Sequence, residues 1–191
     1  MQHETAKDNP GRFAAAFNRG TILLKLERYD EAEGTYRKAI ELDEKDARSW
    51  FSLGHLLHVH LERYAEAEAA YRKAIEQRPN FGEVYWSLAN LKTFRFSDAD
   101  IELMRSQVTA EGGDADDQAH IAFALGKALE DREQFDEAFH FYQRGNAIRS
   151  INHRHNARIN VFDTARQIKA LEQAHFALAF DAPGYRSPDV Y

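Results

Sequence analysis

Three stretches of the chain repeat one spacing. Counting from Gly20, the residues Tyr29, Ala32, Tyr36 and Ala39 follow at offsets of 9, 12, 16 and 19. From Gly126, the residues Phe135, Ala138, Tyr142 and Gly145 follow at the same offsets. A copy starting at Gly54 runs through Tyr64, Ala67, Tyr71 and Ala74 with every offset one larger, which places a single inserted residue near the turn joining two helices. Small residues at these intervals let two helices approach closely, while the large residues beside them fill the space between neighbouring pairs. A lone helix pair cannot bury its apolar face, so the copies must stack, and the chain is committed to an all-α solenoid.

The second unit shows the pattern most fully: Trp50, Leu53, Gly54 and Leu57 precede Tyr64, Ala67, Tyr71, Ala74 and Pro79. This resembles the tetratricopeptide repeat (TPR), with an aromatic, a Leu-Gly pair and a large residue on one helix and small-large-small positions on the next. The resemblance implies a TPR α-solenoid of about four helical hairpins and a C-terminal capping helix. Its units begin near Phe13, Ala47, Gly82 and Ala119, giving a tail at 1–12 and repeats near 13–46, 47–81, 82–118 and 119–152. Asp46 is placed to cap the helix containing Trp50, and Pro79-Asn80 closes one unit and opens the next.

The third unit diverges. Tyr85, Leu88 and Ala89 stand where the pattern wants them, but Ile101 and Arg105 replace a small residue and an aromatic. Ser97-Asp98-Ala99-Asp100 has the form of a capping box, and Ile101, Met104 and Val108 keep an apolar stripe at helical spacing. Further on, Val161, Ala165, Ile168, Leu171, His175 and Leu178 share one face of a predicted helical segment at 153–182. Residues 183–191, with Pro183-Gly184 and Pro188, read as a linker or tail.

Composition narrows the function classes. Between Gly11 and Ala182 only Pro79 interrupts helix formation, and the chain has no cysteine, so disulfides and thiolate metal sites are excluded. No signal-like segment and no run of about 18 apolar residues occurs, which predicts a cytoplasmic protein without a membrane span. A net charge of −6 argues against nucleic acid as the partner. That charge is segregated: Ser97–Asp117 holds seven acids and one Arg, whereas Arg144–Ala170 holds six Arg or Lys and one acid.

The TPR resemblance places positions 2, 5, 9 and 12 of each first helix on a binding groove. Position 5 is aromatic in every unit, as Phe17, Phe51, Trp86 and Phe123, and position 9 holds Thr21, His55, Asn90 and Lys127. Two readings follow: a ladder of anchors for an extended peptide or helix, or rings buried as core between repeats. Phe17 and Thr21 replace the Lys and Asn with which related domains clamp a chaperone's C-terminal carboxylate, so that ligand is not expected.

Signals for catalysis are weak. His55, His58 and His60 form the most metal-like cluster, but spacing offers no third ligand beside the pair on one helix face, and no metal is expected. Gly112-Gly113 leads into Asp114, Asp116 and Asp117, whose charges would repel a phosphate. Neither a Gly-x-Ser-x-Gly elbow nor a cysteine nucleophile is present.

A finer resemblance rests on the run Trp86–Phe96, the segment Phe123–Asp131, and Phe135–Phe139 with Tyr142 and Asn146. These are similar to bacterial TPR-containing sulfotransferases from about Phe13 to Phe180. The resemblance implies a non-catalytic N-terminal region that positions an acceptor, a partner or an adjoining catalytic domain. It implies a cofactor, the sulfo donor PAPS, only for a downstream domain, because no Pro-Arg-Ser-Gly-Thr-Thr-like loop lies in this sequence. The alternative is a free-standing adaptor, or a scaffold that self-associates through the acidic Ser97–Asp117 segment and the basic Arg144–Lys169 segment.

Overall fold

The computed structural model describes residues 9–151. Eight helices occupy them: α1 (Asn9–Lys25), α2 (Tyr29–Leu42), α3 (Ala47–Val59), α4 (Tyr64–Gln77), α5 (Gly82–Ala89), α6 (Asp98–Val108), α7 (Ala115–Glu130) and α8 (135–151). No strand is found among the described residues. Arg149 closes the first of two compact units. The predicted helical segment at 153–182 and the tail at 183–191 lie outside the described residues. At the other end α1 begins at Asn9, so residues 9–12 of the predicted tail are already helical.

Helices α1 and α2 form one antiparallel pair, α3 and α4 the next, and α2 packs on α3 as the stacking model requires. One contact closes three of the pairs. A Cβ added to Gly20, Gly54 or Gly126 would come within 2.7 Å of the ring of Tyr36, Tyr71 or Tyr142 respectively. The repeated spacing is therefore the imprint of a glycine lying flat under a tyrosine. Tyr36 and Tyr71 are fully buried there, with Ala32, Ala39, Ala67 and Ala74 around them.

The turns repeat as closely as the helices. Glu27, Glu62 and Glu133 each adopt a left-handed backbone, with φ of 59°, 52° and 60°, two residues before the aromatic that opens the second helix. In the first pair Arg28 N–H donates to the Leu23 carbonyl at 3.0 Å and Glu27 N–H to that of Leu24 at 3.0 Å, which is the Schellman closure. Gln134 and Glu133 do the same to Leu129 and Glu130. In the second pair Arg63 N–H reaches the Leu57 carbonyl at 2.8 Å, so the inserted residue sits inside this one loop. The extra length is not idle, because His60 stacks on Tyr29 of the preceding pair at 4.5 Å.

A glutamate in this conformation carries a Cβ clash that glycine lacks, of roughly 1–2 kcal/mol. Glu27→Gly and Glu133→Gly should each raise stability in urea unfolding, by about 1 kcal/mol at most. A loss of stability in both would show that these turns are held by the glutamate side chains.

Helix ends follow local chemistry. Asp46 accepts from Ser49 N–H at 2.9 Å and caps α3, as expected. Ser97 and Asp100 complete the capping box of α6, with Ser97 N–H donating to Asp100 at 2.8 Å and Asp100 N–H to Ser97 at 3.2 Å. The predicted stripe of Ile101, Met104 and Val108 is buried.

The third unit diverges in its choice of partner. Helix α5 stops after eight residues at Ala89, and its main contact is α7, which α6 also packs against. Residues 91–97 cross to α6 with Leu91, Phe94 and Phe96 buried, the two Phe rings meeting edge to face at 4.8 Å. Gly82 makes the α5–α7 approach possible, since a Cβ there would meet the Asp117 backbone, its Cα at 2.6 Å and its carbonyl oxygen closer still. Asp117 is itself buried, accepting from Gly82 N–H at 2.9 Å and pairing with Arg78. Arg105, standing where an aromatic was expected, pairs with Glu137 on α8 and lies over the Phe141 ring at 5.7 Å.

Candidate functional site

The position-5 rings stand on the first helices, each against a ring or guanidinium of a neighbouring segment. Phe17 is half-buried against Tyr36 at 5.9 Å, with the Arg48 guanidinium over its other side at 5.5 Å. Phe51 is half-buried against Tyr71 at 6.0 Å and Phe81 at 5.2 Å. Trp86 meets Phe123 edge to face at 6.0 Å, and Arg149 covers Phe123 at 5.1 Å. A Cβ on Gly145 would strike the Phe123 ring at 2.9 Å, so this phenylalanine is wedged into the α7–α8 contact. Both sequence readings thus apply, at different rings: Phe17, Phe51 and Phe123 are packed with one edge outward, and Trp86, 38% exposed, is the ring with most face left for a ligand.

The position-9 residues divide likewise. His55 reaches solvent next to the Phe51 ring at 6.0 Å. Partial burial, then the neighbouring His60 and His58, hold its pKa below the ordinary value, and burial does the same for His58. Both imidazoles are therefore favoured in the neutral form. Asn90 is the C-cap of α5, and its side-chain NH2 donates to the Trp86 carbonyl at 2.8 Å, so part of its polar capacity already serves the helix end. Lys127 pairs with Asp131 one turn on. Thr21 donates to the Phe17 carbonyl at 3.2 Å.

Three contributors were not legible from the sequence. Phe81 joins the Phe51 ring, and Arg48 and Arg149 cap Phe17 and Phe123. Arg48 reaches Phe17 from the next unit and Phe81 stands where the second unit meets the third, whereas Arg149 reaches Phe123 from the other helix of the same hairpin. Arginine over an aromatic face is a recurrent device in this chain, with Arg72 over Phe94 at 5.0 Å and Arg78 over Phe81 at 4.5 Å as further cases.

No group of three His, Cys, Asp or Glu among the described residues could hold a metal ion. His58 instead meets Tyr71 at 6.4 Å and Tyr64 at 5.9 Å, and His60 stacks on Tyr29. No described helix is long and apolar enough to cross a membrane.

Stacked two-helix units sharing a glycine–tyrosine closure, with a row of first-helix aromatics, define a helical repeat scaffold of the α-solenoid class. The tetratricopeptide repeat family model matches residues 3–47 and 17–80. Solved structures agree on the fold. MamA aligns with a TM-score of 0.55 at 16% identity, covering 78% of this chain and 84% of its own. YrrB, described as a TPR protein with an unusual peptide-binding site, aligns at 0.51 and 21% identity, covering 70% of this chain and 66% of its own. BtubC from P. vanneervenii aligns at 0.53 and 15% identity, covering 94% and 69%. A search of curated proteins returned no match. The chain is a TPR-like solenoid, and the TPR pattern itself is matched over its first two hairpins.

Proposed function

We propose that this chain is a non-catalytic scaffold that binds an extended segment of a partner protein along the first-helix face, with Trp86 as the central anchor. The carrying observation is the exposure of Trp86 beside Phe123, in a row where every other ring is half-buried. Arg48 and Arg149, standing over Phe17 and Phe123, favour a peptide with acidic side chains between its apolar ones. The peptide-binding site named for YrrB supports this reading by analogy of fold. It requires no cofactor, and a cytoplasmic setting fits a chain without cysteine.

Trp86→Ala should weaken binding of extended Glu- and Leu-rich peptides at least tenfold while the helical circular dichroism is kept. Unchanged binding by a folded Trp86→Ala would remove the anchor role, and an unfolded variant would return Trp86 to the core.

The finer reading, that the scaffold is the N-terminal region of a sulfotransferase and positions its acceptor or catalytic domain, rests on the motifs at Trp86–Phe96, Phe123–Asp131 and Phe135–Phe139 with Tyr142 and Asn146 alone. PAPS would then belong to the downstream domain. Sequencing the gene past the Tyr191 codon tests it: a sulfotransferase frame supports the assignment, and a stop codon ends it. Self-association through the acidic Ser97–Asp117 segment is less favoured, because Asp98, Asp100, Glu102 and Asp117 already pair with Arg132, Arg72, Arg105 and Arg78 of the same chain.

A further inference from the structure

Two of the half-buried rings on the first helices carry a fixed positive charge. Arg48 stands over Phe17 at 5.5 Å and Arg149 over Phe123 at 5.1 Å. Phe51, between them in the row, has no guanidinium over it among the described residues. Its polar neighbour is His55, one turn on along α3, with ring centroids 6.0 Å apart. Where the other two rings have a permanent cation, this one has a titratable group.

The surroundings of His55 decide which form it takes. Its own helix and the turn after it supply two more imidazoles, His60 at 6.4 Å and His58, and a charge on either would oppose a charge on His55. From α5 the carboxylate of Glu83 acts the other way. From α4, Tyr71 meets the Phe51 and His58 rings and Tyr64 meets His58, while from α2 Tyr29 lies against His60. Partial burial and the two histidines outweigh Glu83, so His55 is held below the ordinary histidine pKa and is neutral at neutral pH. His58 is half-buried against the two tyrosines, whereas His55 is exposed beside Phe51.

We infer that acidification strengthens the capture of acidic peptides by this chain, a proton on His55 supplying beside Phe51 the positive charge that Arg48 and Arg149 supply at Phe17 and Phe123. The inference rests on the peptide-binding reading above and adds a regulation to it. A peptide carboxylate beside His55 favours the imidazolium, so binding takes up a proton. Affinity therefore rises as pH falls through the histidine range and levels off once His55 is charged in the free protein. The pair is exposed to solvent, which keeps the gain to about threefold. A neutral peptide gains nothing.

Calorimetric titration of the full chain with two synthetic peptides tests this, one of alternating Leu and Glu and one with Gln in place of every Glu. The measurements are made at about pH 7.5 and at about pH 5.5, where glutamate stays ionised. The wild type should bind the Glu peptide about threefold more tightly at the lower pH, and the Gln peptide equally at both. His55→Gln should remove the rise and His58→Gln should keep it, with helical circular dichroism unchanged in each. In proton NMR the His55 ring resonance, identified by its absence from His55→Gln, should titrate at higher pH when the Glu peptide is bound. A folded His55→Gln that keeps the rise, a folded His58→Gln that loses it, a rise shared by the Gln peptide, wild-type affinity equal at both pH values, or a His55 titration unmoved by the Glu peptide would overturn the inference and leave peptide capture standing. Binding of neither peptide at either pH would remove the peptide-binding reading itself, and this inference with it.

Discussion

Gly82→Ala is expected to destabilise the fold by about 3 kcal/mol, although at an ordinary helical position alanine would be the better residue. The new methyl group has nowhere to go, because the atoms it meets are the backbone of Asp117 and not the flexible end of a side chain. Relief requires α5 and α7 to separate, which lengthens the Gly82 N–H bond to the buried Asp117 carboxylate and exposes a packed surface including Val84, Tyr85 and Leu88. Gly34→Ala is the internal control. That glycine lies within α2, a Cβ there meets nothing within 4 Å, and helix propensity alone should make the variant more stable by roughly 0.5–1 kcal/mol. Urea unfolding of the two variants beside the wild type should therefore show shifts of opposite sign. A neutral Gly82→Ala would mean that α5 does not seat on α7 as closely as described.

Tyr71→Ala should cost about 4 kcal/mol, the scale for removing a buried aromatic. The Tyr71 side chain is fully buried, covers Gly54, supports Phe51 at 6.0 Å and stands 6.4 Å from His58. Its loss opens a cavity beneath the Phe51 ring and leaves that ring free to drop inward. Tyr71→Phe keeps the ring and should stay within about 1 kcal/mol of the wild type, because it removes one hydroxyl and opens no cavity beneath Phe51. Tyr142→Ala, at the half-buried counterpart, should be the milder truncation. Thermal or urea unfolding measures all three, and an equal loss at Tyr71 and Tyr142 would contradict the difference in burial.

The hairpins were legible in the sequence because their closure is local and periodic. A glycine and a tyrosine held at 16 or 17 residues mark the same contact three times, and no knowledge of other units is needed to see it. Caps at Asp46 and Ser97 were legible for the same reason, since the partners lie three residues away. The end of α5 at Ala89 was not, for neither Gly nor Pro marks it. What fixes that end is burial of Leu91, Phe94 and Phe96 beyond it, a tertiary effect. The site was half visible: the row of position-5 aromatics could be read from the TPR frame, but which ring stays exposed depends on what a neighbouring segment places over it. Arg149 over Phe123 and Phe81 against Phe51 are contacts of that kind. Asp117 was hidden among solvated acids by its composition, and only the approach of Gly82 sets it apart.

The left-handed glutamates carry a consequence for how the chain keeps time. In all three turns the reversal is counted backward from the aromatic that opens the second helix, at a distance of two residues, while the carbonyl that closes the loop is counted forward from the glycine. Between those two fixed marks lies a slack interval, and the second hairpin has one residue more in it than the others. Both helices on either side nevertheless keep their phase, with Gly54 still beneath Tyr71. The turn thus behaves as a clutch: length can enter there without rotating either helix, and in this chain what entered was a histidine ring that grips the hairpin before it.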